Sequence, residues 1–296
     1  MGKLGEALKS SAVNSANLIT LNDKDLKRMQ DNLYAMLIDI KDMCKKENIK
    51  WGLIAGSLLG AVRYNDFIPW DDDIDIYMLR SEYERFKSIF NKELGDKYVL
   101  KQPGDPNYIF HFPQIQKKGT SLQLLESPQN DDSGLFIDLF IYDNVCDNIL
   151  AKTLHGLECT ILLFIDSALR MKECSYNIFK YCSSDEVVHL VNARAFWAVF
   201  FEYKSFESWL KLSDNVFGKV KKEGKLLVNP SGAKHFFGEM YHTDQMKDIT
   251  WIQFRDTKLP VPKGYKYYLR ERYGENYMIP PDVNAREAHK YIKVEI

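Results

Sequence analysis

Four carboxylates in five residues, Asp71, Asp72, Asp73 and Asp75, stand between apolar blocks in the stretch Trp51 to Met78, WGLIAGSLLGAVRYNDFIPWDDDIDIYM. Crowded anions repel one another unless cations neutralise them. An acidic loop facing solvent would not need Phe67, Ile68, Pro69 and Trp70 on one side and Ile74, Ile76 and Tyr77 on the other. Alternation of Asp73 and Asp75 with Ile74 and Ile76 has the period of a strand, so the spacing predicts a strand over 73–77 with both acids on one face. Paired oxygen donors at that spacing suit a hard cation such as Mg²⁺. Ahead of them, Gly52–Ala55 reads as a short buried strand. Gly56-Ser57 reads as the turn, and 58–62 as the start of a short helix whose unsatisfied backbone N–H groups suit a phosphate oxygen.

A third carboxylate belongs with these two. Asp138 interrupts the apolar run Gly134 to Ile141, which reads as a central strand. A carboxylate buried there costs several kcal/mol, roughly, unless it is paired, metal-bound or holding a backbone turn. With Asp73, Asp75 and Asp138 on neighbouring strands, one or two Mg²⁺ ions can be held, and Mn²⁺ is an alternative. Such ions clamp a transferring phosphoryl group and acidify an attacking hydroxyl. The chain has no GxGxxG and no GxxxxGK(S/T), so phosphate chemistry here takes another route.

The rest of the chain frames that core. Asn22 caps a helix whose apolar stripe, Leu26, Met29, Leu33, Leu37, Ile40 and Cys44, ends near Lys46. A helix is expected over 81–93 and strands near 108–112, 114–117 and 122–125. From Ile149 to Phe217 the periodicity turns helical, with helices at 150–171, 185–199 and 206–217. A short helix from Gly264 ends at Tyr273, with Gly274 as its cap, and the tail is a loop followed by a strand. The expected fold is α/β (α+β), a mixed sheet with flanking helices and a helical insertion. Its parts are a helical lead at 1–46, a catalytic core at 47–146, the insertion at 147–220 and a closing segment at 221–296.

Composition narrows the class. With 296 residues, 45% hydrophobic and 27% charged, this is a folded soluble chain, and a net charge of −1 argues against a broad nucleic-acid surface. Cys44, Cys146, Cys159, Cys174 and Cys182 form no CxxC pair, so a reducing compartment is expected rather than a disulfide scaffold. A zinc site from the last four with His155 matches no compact spacing. No export signal and no apolar run long enough to span a bilayer are present.

The motifs resemble the LicD family, which groups with the fukutin-related proteins in the polymerase-beta-like nucleotidyltransferase superfamily. Gly56 to Arg63, GSLLGAVR, and Phe67 to Asp75, FIPWDDDID, are similar to its signature, as are Phe136 to Phe140, FIDLF, and the later Leu259 to Pro262, Tyr273-Gly274 and Pro280-Pro281. Arg286 and His289 fall where family members often carry a basic pair. Tyr64-Asn65-Asp66 departs from the family, which commonly has His or Lys and then Gly there. The resemblance spans about residues 51 to 289 and leaves the helical insertion unplaced.

The resemblance implies transfer of phosphocholine, or a related alcohol phosphate, from CDP-choline or another CDP-alcohol to a sugar hydroxyl of a glycan or lipid-linked glycan, releasing CMP. The alternative is transfer of a nucleotide from an NTP to a small molecule, sugar or protein; a binding protein with a degenerate site is a third reading. Asp73, Asp75 and Asp138 are then metal ligands and catalytic residues, with Asp138 nearest the acceptor hydroxyl. Gly56 and Ser57 bind phosphate. Arg63 either neutralises phosphate or pairs with Asp71 or Asp72. Those two acids position Arg63, bind a second cation or touch a quaternary amine, and His289 contacts phosphate or sugar unless it is structural. A choline cargo calls for an aromatic cage, for which Trp70, Tyr77, Trp197, Trp251 and Tyr267 are available. The expected location is the cytoplasm, with peripheral contact at the inner face of a membrane as a further expectation. The stripe Leu150, Leu154, Leu157, Ile161, Phe164 and Ala168 either makes that contact or packs on the core.

Overall fold

The computed structural model describes residues 7–8, 17–182, 184–282 and 289–296. Of the expected helical lead at 1–46, residues 1–6 and 9–16 lie outside them. Helix α1 (Asp23–Lys46) is capped by the Asn22 side chain, which accepts from the Asp25 N–H. It buries Met29, Leu33, Met36, Leu37, Ile40, Met43 and Cys44 on one stripe. Each such side chain contributes about 1.5–3 kcal/mol by leaving water, so this stripe fixes the helix on the sheet.

The sheet forms from β1 (Gly52–Leu53), β2 (Asp75–Leu79), β3 (Tyr98–Lys101), β4 (Gln114–Lys117) and β6 (Phe136–Asn144), in the order β1-β2-β6-β4-β3. The β2–β6 pair is parallel, and β1–β2, β3–β4 and β4–β6 are antiparallel. The far end of β6 also pairs with β7 (Leu226–Val228), which pairs with β8 (Met240–His242). The mixed α/β class expected from the sequence is the one found. Two further antiparallel pairs complete the strands: the hairpin of β9 (Ile249–Phe254) and β10 (Thr257–Pro262), and the long-range pair of β5 (Ser121–Leu124) with β11 (Tyr291–Glu295).

Three local boundaries differ from expectation around the acidic stretch and the sheet, and in the helical region the helix expected at 150–171 runs on to Tyr181 while the one expected at 185–199 ends at Ala195. The turn after β1 is made by Ala55, at φ 47°, and not by Gly56-Ser57; helix α2 (Ala55–Tyr64) already includes those two residues. Asp73 precedes the strand, which begins at Asp75, because the ladder starts where Ile54 N–H reaches the Asp75 carbonyl at 3.1 Å. The run 108–112 is not a strand. Asn107 has φ 59°, Tyr108 N–H closes a turn on Asp105, and the Tyr108 hydroxyl donates to the Phe112 carbonyl at 2.6 Å. Flanking Pro106 and Pro113 remove ladder donors as well.

Helix α3 (Arg80–Leu94) follows β2 directly. The region after β6 is helical: α4 (Ile149–Tyr181), α5 (Asp185–Ala195), a 3₁₀ turn at Phe196–Phe200, and α6 (Phe206–Phe217). Leu162, Ile165 and Leu169 of α4 pack with Ala198 and Trp209, while Cys159 and Leu163 pack with Phe217 and Phe236. The stripe expected to run along α4 is split. Ala168 is buried and Phe164 half-buried, but Leu150, Leu154, Leu157 and Ile161 lie open to solvent. Helix α7 (Tyr265–Tyr273) ends at Gly274, whose φ of 86° favours glycine. Among the described residues no helix is long and apolar enough to cross a membrane, and all five cysteines are free.

Candidate active site

The parallel β2–β6 register sets Asp75 directly beside Asp138. Register partners on parallel strands project from the same face, so both carboxylates rise from one side of the sheet. Asp75 is buried and Asp138 half-buried. Asp138 is oriented by its antiparallel neighbour: Gln114 Nε2 donates to Asp138 Oδ1 at 2.9 Å, and Gln116 Nε2 donates to Gln114 Oε1 at 3.1 Å. The remaining Asp138 oxygen is left to the site.

Electrostatics tie Asp73 to this pair. Burial, then the neighbouring Asp73 and Asp138 charges, push the Asp75 carboxyl well above the usual range. Burial raises Asp138 to about 7, with Asp73 adding to the rise and the Gln114 hydrogen bond opposing it. Asp73 is raised by burial and by Asp72, against the pull of His289. Three acids that suppress one another's ionisation are what a cation would relieve.

The donor set is all oxygen, which fits a hard ion such as Mg²⁺. Among the described residues, however, no group of three or more His, Cys, Asp or Glu side chains is already gathered as an ion cage.

The start of α2 adjoins the carboxylates. Ser57 Oγ accepts from the Asp75 N–H at 2.8 Å, which keeps the hydroxyl hydrogen available to a ligand. A Cβ on Gly56 would sit 3.2 Å from Asp71 Oδ2 and 3.9 Å from Asp75 Oδ2. Glycine therefore gives these acids their room, and the strained left-handed turn falls to Ala55, at roughly 1–3 kcal/mol. Gly60 serves packing: a Cβ there would meet the Asp66 carbonyl oxygen at 2.7 Å and Ile68 N at 2.8 Å. Ile54 offers no capping side chain, so the first helical amides have no intrahelical acceptor.

The other expected site residues are placed differently from one another. Asp72 is a clasp. His289 Nδ1–H donates to its Oδ1 at 2.7 Å and the Tyr291 hydroxyl to its Oδ2 at 2.8 Å, fastening β11 to the acidic loop. Asp71 is held through its backbone, whose carbonyl accepts from Gln30 Nε2 at 2.8 Å. The Arg63 guanidinium donates to the carbonyls of Tyr277 and Ile279, so its hydrogen bonds go to the closing segment and not to Asp71 or Asp72. Arg286 lies outside the described residues.

The clasp has a pH signature. Burial disfavours the imidazolium of His289, but the Asp72 hydrogen bond and charge outweigh it and raise the group from 6.5 to about 10. Burial likewise opposes ionisation of Asp72, and His289 overcomes it, holding that carboxyl below its usual value. A raised histidine stabilises the fold fully below pH 6.5 and loses that stabilisation as pH climbs through about 10. The lowered Asp72 sets the acid limit, below its ordinary 3.8. The gap in urea midpoint between wild type and His289→Gln should therefore be widest near pH 6.5 and shrink towards pH 10. A gap that stays constant across that window would contradict the clasp.

Sequence reasoning missed Gln114, Arg272 and Tyr291. Arg272, on α7, forms an ion pair with Glu239 at 2.5 Å, and Glu239 is fully buried and also accepts from the Tyr241 hydroxyl at 2.9 Å. The Arg272 charge counters the rise in Asp75. Its Nε is buried with no hydrogen-bond partner among the described residues. The alternation Gln114-Ile115-Gln116 was a visible signal, since both glutamines are buried; nothing local marked Arg272.

The five candidate cage rings are not gathered. Tyr77 is core and its hydroxyl donates to the Met246 carbonyl, Trp197 sits in the helical region, and Trp251 is on β9. Trp70 meets Tyr64 edge-on and Tyr267 meets Tyr241. A different set adjoins Asp138: Phe140, two residues along the same strand face, meets Phe112 at a tilt with ring centres 5.0 Å apart, and Phe112 lies 5.5 Å from Phe110. All three are half-buried.

Comparison with known proteins bears on this geometry. The family model described as LicD/FKTN/FKRP, nucleotidyltransferase domain, matches residues 48–154. The chain is 25% identical over 266 residues to the lipopolysaccharide cholinephosphotransferase LicD of Haemophilus influenzae, covering 83% of this chain and 89% of that protein. An uncharacterised protein of Rickettsia typhi is 36% identical over 85 residues, 26% of this chain and 28% of its own length. One of Rickettsia prowazekii is 36% identical over 70 residues, 22% of this chain and 26% of its own.

Proposed function

From the premise that this chain carries the LicD/FKTN/FKRP nucleotidyltransferase domain over residues 48–154, we propose that it moves phosphocholine, or a related alcohol phosphate, from a CDP-linked donor to a sugar hydroxyl of a cell-surface glycan. The observation that carries this reading is the Asp75–Asp138 register pair, with Asp73 beside it and the start of α2 alongside. The cholinephosphotransferase activity that the Haemophilus relative is named for supports the choice of cargo. CDP-linked donors place the reaction in the cytoplasm.

Asp73, Asp75 and Asp138 would hold Mg²⁺, as one or two ions, with Mn²⁺ a substitute. Bound there, the ion supplies positive charge to the diphosphate and acidifies a hydroxyl near it. The chain's own groups do the rest. Gly56 and Ser57 receive a phosphate oxygen, through backbone N–H and Oγ–H. Arg272, held by Glu239, faces the charge that grows on the departing CMP. Asp138, with one oxygen fixed by Gln114, takes the acceptor proton on the other as the new O–P bond forms and the bond to CMP breaks. Arg63 acts by fixing the 277–279 segment, and Asp72 and His289 by fixing β11. The ring faces of Phe112 and Phe140 offer a quaternary amine its preferred surroundings.

Pure protein with Mg²⁺, a glycan acceptor and CDP-choline, CDP-ribitol or CDP-glycerol should release CMP from one donor, CDP-choline first. Pyrophosphate release from a nucleoside triphosphate, with no CMP from any CDP-alcohol, would replace this reading with nucleotidyl transfer.

A further inference from the structure

A line of side chains leads from the loop before β6 to Asp138. Asp131 Oδ1 accepts from the Ser133 backbone N–H at 3.0 Å and from the Ser133 hydroxyl at 2.6 Å. Ser133 Oγ accepts from Gln116 Nε2 at 3.3 Å. Gln116 Nε2 also donates to Gln114 Oε1 at 3.1 Å, and Gln114 Nε2 donates to Asp138 Oδ1 at 2.9 Å. The antiparallel β4–β6 register brings these groups together, with Gln114 opposite Asp138 and Gln116 opposite Phe136. Residues two apart on a strand share a face, so the two amides follow one another along it. Gln114 is 1% exposed and Gln116 4%. Amides buried that deeply need partners for their polar ends.

The bonds run in one direction, and the loop sets it. A carboxylate oxygen that accepts a backbone N–H offers only lone pairs, so the Ser133 hydroxyl points its hydrogen there. Ser133 Oγ can then only accept. Gln116 therefore turns its NH₂ end to Ser133, and the same NH₂ reaches the Gln114 carbonyl. With that carbonyl taken, Gln114 faces Asp138 with its own NH₂. Glutamine suits this task because one planar group carries a donor at one end and an acceptor at the other. Reversing either amide would set hydrogens or lone pairs against each other, at roughly 1–3 kcal/mol for each buried polar group left unmade.

We propose that Asp131, Ser133, Gln116 and Gln114 form a one-way hydrogen-bond relay that holds Asp138 Oδ1 as an acceptor and leaves Oδ2 to the reacting groups. Ser133 and Gln116 are thereby positioning residues for the transfer reaction. With an N–H aimed at Oδ1, a proton taken from the acceptor hydroxyl has to go to Oδ2. With the carboxylate held from one side, a cation meets a ligand that is already oriented. Outer partners of this kind change metal affinity by about 10–100-fold. The effect on metal and proton rests on the role proposed above for Asp138; the direction of the relay does not.

Mn²⁺ binding, measured by electron paramagnetic resonance with neither donor nor acceptor, is compared in the wild type, Gln114→Met, Gln116→Met, the double variant and Ser133→Ala. Methionine keeps the length of glutamine without its amide. Thermal melting reports which variants fold, and Ser133→Ala, at a half-buried loop position, carries the comparison should methionine at 116 unfold the core. Gln116→Met should bind Mn²⁺ roughly tenfold more weakly than the wild type, and Ser133→Ala should weaken it in the same direction. The double variant should bind no worse than Gln114→Met alone, because Gln116 acts only through Gln114. Wild-type affinity in Gln116→Met or in Ser133→Ala, or losses that add in the double variant, overturns the relay. The Gln114 side-chain amide protons, followed by NMR without metal, report on the relay independently of any ion. They should exchange at least roughly tenfold faster in Gln116→Met, and faster in Ser133→Ala, than in the wild type. Equal exchange in all three overturns the relay. A wild type that binds no Mn²⁺ but shows that difference in exchange removes Asp138 from the metal site and upholds the relay.

Discussion

Asp75→Asn should lower the transfer rate by roughly 10²-fold or more while leaving the protein as stable as the wild type or slightly more so. The two halves of this result have one cause. Asp75 is buried beside Asp73 and Asp138, and its carboxyl is raised well above the usual range. A carboxyl raised in the folded state destabilises the fold once the pH exceeds its unfolded value. Asparagine keeps the shape and one acceptor oxygen but removes that charge, so melting at neutral pH without added metal should not fall. The same charge is what would hold a cation against the diphosphate, so turnover should fall. A variant within about threefold of the wild-type rate would remove Asp75 from the metal site. A variant that is slow only because it unfolds would make the residue structural.

Asp143→Ala should have the largest effect on stability, a loss of about 3–5 kcal/mol. Asp143 lies near the end of β6, where Arg80 donates to both of its oxygens, Nε to Oδ1 and Nη2 to Oδ2, each at 2.8 Å. Arg80 Nη1 continues to Asp214 of α6 at 2.7 Å. The Asp143 side chain is 2% exposed and that of Arg80 13%. Burial pushes the Asp143 carboxyl up, and the Arg80 charge opposes it. This cluster joins the β2–α3 junction, the strand that carries Asp138 and the helical region. Truncating Asp143 leaves a guanidinium largely out of water with only the partly exposed Asp214. Urea denaturation measures the loss, and a change under about 1 kcal/mol would show the pair to be dispensable. Replacing both groups together, Arg80→Met with Asp143→Leu, should recover much of the stability, because no unpaired charge remains.

Local chemistry was legible in the sequence where it is decided locally. A start at Leu21-Asn22-Asp23 and an apolar stripe ending near Lys46 agree with α1 as found, capped by Asn22, because a cap and a period of 3.6 are short-range properties. Asp138 stands out in FIDLF because a carboxylate in an apolar run needs a reason, and the fold sets it beside Asp75. The strand at Asp75 began two residues later than its alternation implied, because a ladder starts where a partner strand is available. The turn at Ala55 was hidden for a different reason. Gly56 looked like the turn residue, but its missing Cβ makes room for Asp71 and Asp75.

Long-range partners were out of reach. Asp72 and Tyr291 are 219 positions apart, and Glu239 and Arg272 belong to a closing segment far from the acids in sequence. The exposure of the α4 stripe was equally undetermined, since core-facing and solvent-facing stripes have the same period.

The mass gained by the acceptor glycan tests the central reading most directly. After incubation with CDP-choline and Mg²⁺, mass spectrometry should show the acceptor heavier by one phosphocholine, in step with the CMP released, and unchanged when Asp75→Asn replaces the wild type. An acceptor that instead gains a whole nucleotide from a nucleoside triphosphate, with pyrophosphate appearing and no phosphocholine adduct under either condition, would contradict it.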